Sequence, residues 1–280
     1  MGRSAVVLLV VLAGVWAAWQ LELSPAELVP NKGGVELTSR FFASAASPAL
    51  YPESPDAPPG TPLVVVTALA AVWTTVRFAA CATSVALLLG GLLGILASGA
   101  FWDGVAPPGR TSPGLRAGAR SVHIVVRIVI ALLRSVHELL WAVLLLAAVG
   151  LGEATAIVAL ALPYTGTIAK VFSEMLDEVP KDSSDALVAA GAGQLQSYAF
   201  GRVPRALPDL GAYSMYRFEC ALRSSAILGF FGFPTLGLYV KLLFENTLYG
   251  EVWTYLFSLF VLIALVDWWS GAVRARLVST

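Results

Sequence analysis

The 280-residue chain is 58% hydrophobic and 13% charged, with a mean hydropathy of +0.77, whereas soluble domains average about 45–50% apolar and about 25% charged residues. A soluble core cannot absorb that much apolar surface, so the composition excludes an ordinary water-soluble enzyme and points to an all-α integral membrane protein in contact with the lipid bilayer. Lys+Arg and Asp+Glu balance at 18 each, which leaves no basic field of the kind that binds nucleic acid.

A membrane-crossing helix needs about 20 mostly apolar residues. Six such runs follow in chain order, at about 5–19, 64–97, 124–149, 154–172, 210–231 and 252–269. The first has Arg3 ahead of it and Ala17-Ala18 behind it, a pattern shared by signal peptides and uncleaved anchors; five further spans favour the anchor. The second run is interrupted by Arg77 and is long enough for one tilted span or two short ones. Residues 21–62 form a polar, Pro-rich segment that predicts a lid or a short interfacial helix followed by irregular chain. The glycines Gly90, Gly91, Gly94, Gly229 and Gly232 permit close helix approach or bending, and Pro234 turns the chain just after the fifth run.

The placement of positive charge orients these runs, since cytoplasmic loops carry the excess of Lys and Arg. With six spans and both termini cytoplasmic, the inside segments hold nine basic residues, namely Arg3, Arg110, Arg116, Arg120, Lys181, Arg202, Arg205, Arg274 and Arg276. The outside segments hold three, Lys32, Arg40 and Lys241. Splitting the second run would put the later basic loops on the wrong side, so the charges favour one span there. Cys81 and Cys220 lie in apolar runs and read as small hydrophobes. His123 and His137 are 14 residues apart, roughly 21 Å along a helix, too far to share a metal ion.

The longest inside segment, 177–208, predicts a helix-turn-helix outside the bilayer. Ser and Asp near Lys181 suit a helix start, Gly191-Ala192-Gly193 breaks that helix, and a second short helix over 194–201 ends before Pro204. Its spacing resembles the EAA motif of binding-protein-dependent ABC permeases. That motif has an acidic residue followed by Ala, Gly six positions after the acid and Pro thirteen after the Gly, matched here by Asp185, Ala186, Gly191 and Pro204. Asp replaces the family's Glu, Leu187 its second Ala, and Gly201 and Val203 stand where Ile and Leu are preferred. The stretches Arg134-Ser-Val-His-Glu138, Tyr216-Arg217-Phe218-Glu219, Arg223-Ser224, Leu228-Gly229 and Val266-Asp267-Trp-Trp-Ser270 look like those of phosphonate/phosphite permeases. Two departures are His137, where the family usually has Pro, and 231–237, which replaces a Gly-rich stretch.

The resemblance implies a six-helix type I ABC importer permease with a MetI-like core. It divides the chain into an anchor (1–20), a periplasmic segment (21–62) and a permease domain (63–280) in a bacterial inner membrane. Asp185, Ala186, Gly191, Ala192, Gly193 and Pro204 would couple to a cytoplasmic ABC ATPase dimer. The other implied partners are a periplasmic substrate-binding protein and a second permease copy. The chain has no Walker A pattern, so it carries no cofactor, and ATP and Mg²⁺ belong to the ATPase.

Ionisable residues within the hydrocarbon cost at least about 2.5–3.5 kcal/mol and normally face a bundle interior or a watery path. Arg134 with Glu138, and Glu219 with Arg223, are each spaced to form an i,i+4 pair, and Arg217 lies one turn from the second pair. Such pairs either pin helices together or line the pathway, where arginine's planar fork suits a phosphorus oxyanion. A permease of the same family for inorganic phosphate, an amino acid or a metal chelate fits the same pattern. An intramembrane hydrolase built on Glu174, Asp177 or Ser224 with His137 lacks any HExxH or GxSxG motif.

Overall fold

The computed structural model describes residues 3–23, 31–54, 60–107, 109 and 111–278. Pro55, Pro58 and Pro59 of the expected Pro-rich segment and Arg110 lie outside the described residues. The described chain is all α, without a strand. It separates into two units, residues 1–48 and 49–280.

The first unit holds α1 (Arg3–Gln20), an apolar helix shorter than the other candidate spans, and α2 (Lys32–Ser44). Asn31 starts α2 by accepting a hydrogen bond from the Gly34 amide at 2.7 Å, an N-cap in the middle of the expected lid segment.

In the second unit, the 64–97 run is a single uninterrupted helix, α3 (Val64–Ala97), of 34 residues. At 1.5 Å per residue it is about 51 Å long, so it tilts in a bilayer or projects beyond it. A stripe of small buried residues, among them Ala68, Ala71, Ala79, Ala82, Ala86, Gly90 and Gly94, runs along it at helical spacing. That stripe meets α7 (Glu153–Glu178), the most enclosed of the long helices. A Cβ on Gly90 would sit 2.9 Å from Cγ2 of Ile168, and one on Gly94 2.9 Å from Cβ of Phe172. The two backbones therefore touch where only hydrogen fits. Gly166 of α7 plays the same part against Leu133 and Arg134.

The 124–149 run is not one straight helix. α5 (Pro113–Ser135) begins earlier, capped by Ser112, and α6 (Glu138–Val149) leaves it at 91°. Val136 and His137 adopt extended backbone between them, and the His137 Nδ1 accepts from the Leu139 amide at 3.3 Å. His137 thus works as an N-cap, which ends one helix and opens the next; hydropathy carries no trace of such a break.

The fifth run is α10 (Val203–Ile227), which continues in a 3-10 turn (Leu228–Phe231) and then, bent by 48°, in α11 (Leu236–Glu245). Cβ atoms on Gly229 and Gly237 would overlap the facing backbone, so these glycines allow the fold-back. The expected outside loop after Pro234 therefore contains a packed helix, with Leu236 fully buried. The last run is α12 (Tyr249–Val278). Three helices, α3, α7 and α12, are each long and apolar enough to cross a membrane, or five spans if each bent pair is one crossing.

The helix ends gather at two poles. At one pole the starts of α3 and α12 lie together: Val64 donates to the Leu50 carbonyl at 3.1 Å and Thr254 to that of Ala49 at 2.7 Å. At the other pole the C-terminal ends of α3 and α7 meet, with α4 (Gly99–Val105) between them. This alternation is what successive crossings require.

Replacing Gly90 by Leu should lower the stability of the detergent-solubilised chain by about 1–3 kcal/mol through overpacking against Ile168. Gly91 faces open space, so Gly91→Leu is the matched control. Equal thermal unfolding of the two variants would show that the α3–α7 contact is not tight.

Candidate functional site

Two clusters stand out, one inside the bundle and one at the pole where α3 and α7 end.

Inside the bundle, α6, α7 and α10 are joined by a chain of polar side chains. Ser224 Oγ on α10 donates to Glu138 Oε1 at 2.7 Å, and the Tyr164 hydroxyl on α7 lies 3.0 Å from Ser224 Oγ. The serine's single proton is committed to the carboxylate, so the tyrosine donates to the serine. The Arg217 guanidinium lies 4.3 Å from the centre of the Tyr164 ring, a cation–π contact. Glu138 stands in the first turn of α6, where the helix dipole favours an anion, and its side chain is 23% exposed. The Arg217 Nε is buried without a hydrogen-bond partner.

Neither i,i+4 ion pair expected from the sequence forms. The helix breaks between Arg134 and Glu138, so the spacing that would pair them on a continuous helix does not apply. Glu219 turns to Arg274 of α12 at 3.2 Å, and Arg274 also approaches Asp267 at 3.8 Å. Arg223 borders a small cleft with Glu219 and Asp267. Arg134 lines a different cleft, of about 380 Å³, between α5 and α7. The five intramembrane charges are thus distributed over three places.

At the helix-end pole, α7 runs into α8 (Asp182–Ala189) and then α9 (Gln194–Ser197). Gly191 turns the chain with φ of 94°, and the Gly191 and Ala192 amides donate back to the carbonyls of Val188 and Leu187 at 3.0 and 2.9 Å, closing α8. Gly193 opens α9, its amide held by the Gln196 side chain at 3.0 Å. The second helix does not stop before Pro204 as expected. A π turn (Tyr198–Arg202) carries it into α10, where Pro204 sits in the first turn and needs no amide hydrogen. Asp185 and Ala186 are exposed on α8.

The α8–α9 element is closed on itself by Ser184 and rests on α4 on one side. Ser197 Oγ donates to the Ser184 carbonyl at 2.7 Å, and Gly201 lies so close that a Cβ would come 3.0 Å from the Ser184 Cα. Gly104 of α4 abuts Leu195, and α4 itself is held by Asp177. That carboxylate accepts from Ser98 Oγ at 2.6 Å and from the Gly99 and Ala100 amides at 3.0 Å each. Its other side is free: Leu195 and Phe200 are 47% and 75% exposed. Sequence reading missed Asp177 as a clamp and Leu195 and Phe200 as surface. The exposed apolar pair inside a polar loop was the available signal.

The comparisons with known proteins agree with this layout. Residues 114–279 match the family described as the binding-protein-dependent transport system inner membrane component. HtxE of Stutzerimonas stutzeri, which carries a phosphite transport system permease name, is 33% identical over 174 residues, 62% of this chain and 65% of that protein. PhnE of Mycolicibacterium smegmatis, named a phosphate-import permease, is 31% identical over 224 residues, 79% of this chain and 39% of that protein. The chain therefore spans less than two thirds of either relative. The fold is shared with an inward-facing MetNI methionine ABC transporter, with a TM-score of 0.59 at 20% identity over 76% of this chain and 96% of that one.

Replacing Ser224 by Ala should cost about 1–3 kcal/mol, because it strands both the Tyr164 hydroxyl and the Glu138 carboxylate. A double-mutant cycle with Glu138→Gln, read by denaturant unfolding, should give a coupling energy of about 0.5–3 kcal/mol. Additive effects would mean that the polar chain does not form.

Proposed function

Since the chain belongs to the family of binding-protein-dependent transport system inner membrane components, we propose that it is the permease subunit of an ABC importer for a phosphorus oxyanion, of the phosphite, phosphonate or phosphate class. The multi-pass chain sits in the inner membrane with both termini cytoplasmic. A second copy completes the pathway, a periplasmic binding protein delivers the anion, and a cytoplasmic ATPase dimer binds ATP with Mg²⁺ and hydrolyses the ATP.

The observation that carries this reading is the α8–α9 element, resting on α4 at the Leu195 backbone and exposing the Leu195 and Phe200 side chains. Polar backbone and apolar side chains at the end of a membrane bundle make a docking surface for a soluble partner. Asp185, Ala186, Gly191, Ala192, Gly193 and Pro204 build that element: the first two lie on its exposed helix, the glycines with Ala192 make its turn, and Pro204 starts the return helix. Motion of the docked ATPase passes directly into α7, and through the Asp177 contacts into α3 and α4.

The cargo reading rests on the names of the relatives and on the arginines inside the bundle. Arg217 is offset by Tyr164 and the neighbouring Ser224–Glu138 pair, while Glu219 is engaged by Arg274. A carboxylate near a pathway guanidinium keeps anion binding weak enough for release. Arg223 and Arg134 complete the intramembrane set.

The test is reconstitution of the chain with its ATPase and binding protein in liposomes, measuring ATP-driven uptake of labelled phosphite, methylphosphonate and phosphate. Uptake of at least one is expected; none would reject the cargo. Gly201→Val should cut uptake at least about tenfold, since overpacking of about 1–3 kcal/mol against Ser184 displaces the docking element. Unimpaired uptake by that variant would remove α8–α9 as the coupling element.

A further inference from the structure

α5 carries a row of three arginines, Arg120, Arg127 and Arg134, spaced by seven residues. A seven-residue step falls only about 20° short of two turns, so the three occupy one face at intervals of about 10.5 Å. All three are exposed. Arg127 and Arg134 line the α5–α7 cleft of about 380 Å³ together with Lys170 and Ser173 of α7 and Ala97 at the end of α3. Among the described residues, neither arginine makes an ion pair, whereas Lys170 is paired with Glu174. The cleft therefore holds three cations against one carboxylate, a surplus of two positive charges.

The depth of the row argues against a lipid headgroup as its counter-ion. His123 Nε2 lies 3.0 Å from the carbonyl of Ala97, the last residue of α3, so it marks the level at which α3 ends. Arg127 is four residues beyond that level and Arg134 eleven, about 6 Å and about 16 Å along the helix. A single headgroup phosphate held at the level of His123 would reach the first and not the second. Unpaired guanidiniums at such depth face water or an anion rather than acyl chains.

We propose that the α5–α7 cleft is a holding site for the transported phosphorus oxyanion on its way to the cytoplasm, with Arg127 and Arg134 as the paired ligands and Arg120 as the next step outward. The proposal rests on the permease reading above and extends it from Arg134 to Arg127, Arg120 and the cleft they share with α7. Two forks at adjacent levels suit a tetrahedral oxyanion, which offers oxygens in several directions. Glu174 neutralises Lys170 and so limits the grip, and a row of like sites lets the anion leave by stepping.

The test uses the assembled importer with its ATPase and binding protein. Arg127→Gln should lower the maximal rate of phosphate uptake about tenfold without raising the concentration of loaded binding protein needed for half-maximal uptake; Arg127→Lys, which keeps the charge but loses the fork, should retain roughly a third. Inorganic phosphate should protect Arg127 from phenylglyoxal, read by peptide mass, in vesicles of phosphatidylcholine alone as well as in vesicles containing phosphatidylglycerol. Protection confined to phosphatidylglycerol vesicles would identify a headgroup site and overturn the proposal. So would wild-type uptake by Arg127→Gln. Failure of the wild-type importer to take up any phosphorus oxyanion would instead reject the permease's cargo, a distinguishable result.

Discussion

Everything in the larger unit hangs on the close approach of α3 and α7. Lipid tails are as apolar as leucine, so helices in a bilayer are not driven together by the hydrophobic effect and must gain from van der Waals contact and interhelical hydrogen bonds. Gly90 and Gly94 supply that contact by letting Ile168 and Phe172 reach the α3 backbone. Once α7 is fixed in this way, three of its side chains fall at three levels, each tied to a different neighbour. Tyr164 reaches Ser224 of α10, Lys170 borders the cleft against α5, and Asp177 grips the junction of α3 and α4. A helix seated along its length, and followed after the short 179–181 connection by α8, links the α8–α9 element to the bundle interior.

The polar groups within this frame are partnered by tertiary geometry rather than by sequence neighbours. Glu138 would be an i,i+4 partner of Arg134 on a continuous helix, and the 91° break at His137 gives it instead to Ser224, 86 residues away in sequence. Glu219 likewise passes over Arg223 for Arg274. Losing its local partner leaves Arg134 with its charge uncompensated in the α5–α7 cleft. The same substitution of partners that stabilises the interior therefore creates the cationic face of α5. That face also explains why α5 is so strongly two-sided: its apolar residues Val126 and Ile130 pack against Ala97 and Ala169, and its arginines line the opposite flank of the same groove.

Much of the architecture is legible in the sequence because hydropathy and charge report the bilayer directly. The 64–97 run coincides with α3, α7 and α12 contain and extend the 154–172 and 252–269 runs, and the Asp185 to Pro204 spacing marks the α8–α9 element with its Gly191 turn. What escaped depends on backbone events that apolar counts cannot register. His137 acting as an N-cap is one, and α11 is another, since ten residues after Pro234 are too few to look like a span. α4 is only seven residues long and is held in place by Asp177, whose partners lie 77 to 79 residues away. Arg127 was visible as a residue, but its meaning depended on knowing that α5 faces α7.

The two poles are closed by the same chemical device. At one, Asp177 accepts from two amides and a hydroxyl at the start of α4. At the other, Glu251 accepts from the Glu53 amide at 2.7 Å and Glu53 from the Glu251 amide at 3.3 Å, a reciprocal clasp between the segment leading into α3 and the start of α12. A carboxylate accepting backbone amides is a charge-assisted bond whose strength falls off sharply with misalignment. Such clasps hold helix ends together without a large apolar surface. They also place the restraint at the ends, and between them Pro163 removes one backbone hydrogen bond from α7. The weak point of α7 therefore lies beside Tyr164, while Lys170 and Asp177 sit on the uninterrupted stretch between it and the α8–α9 element.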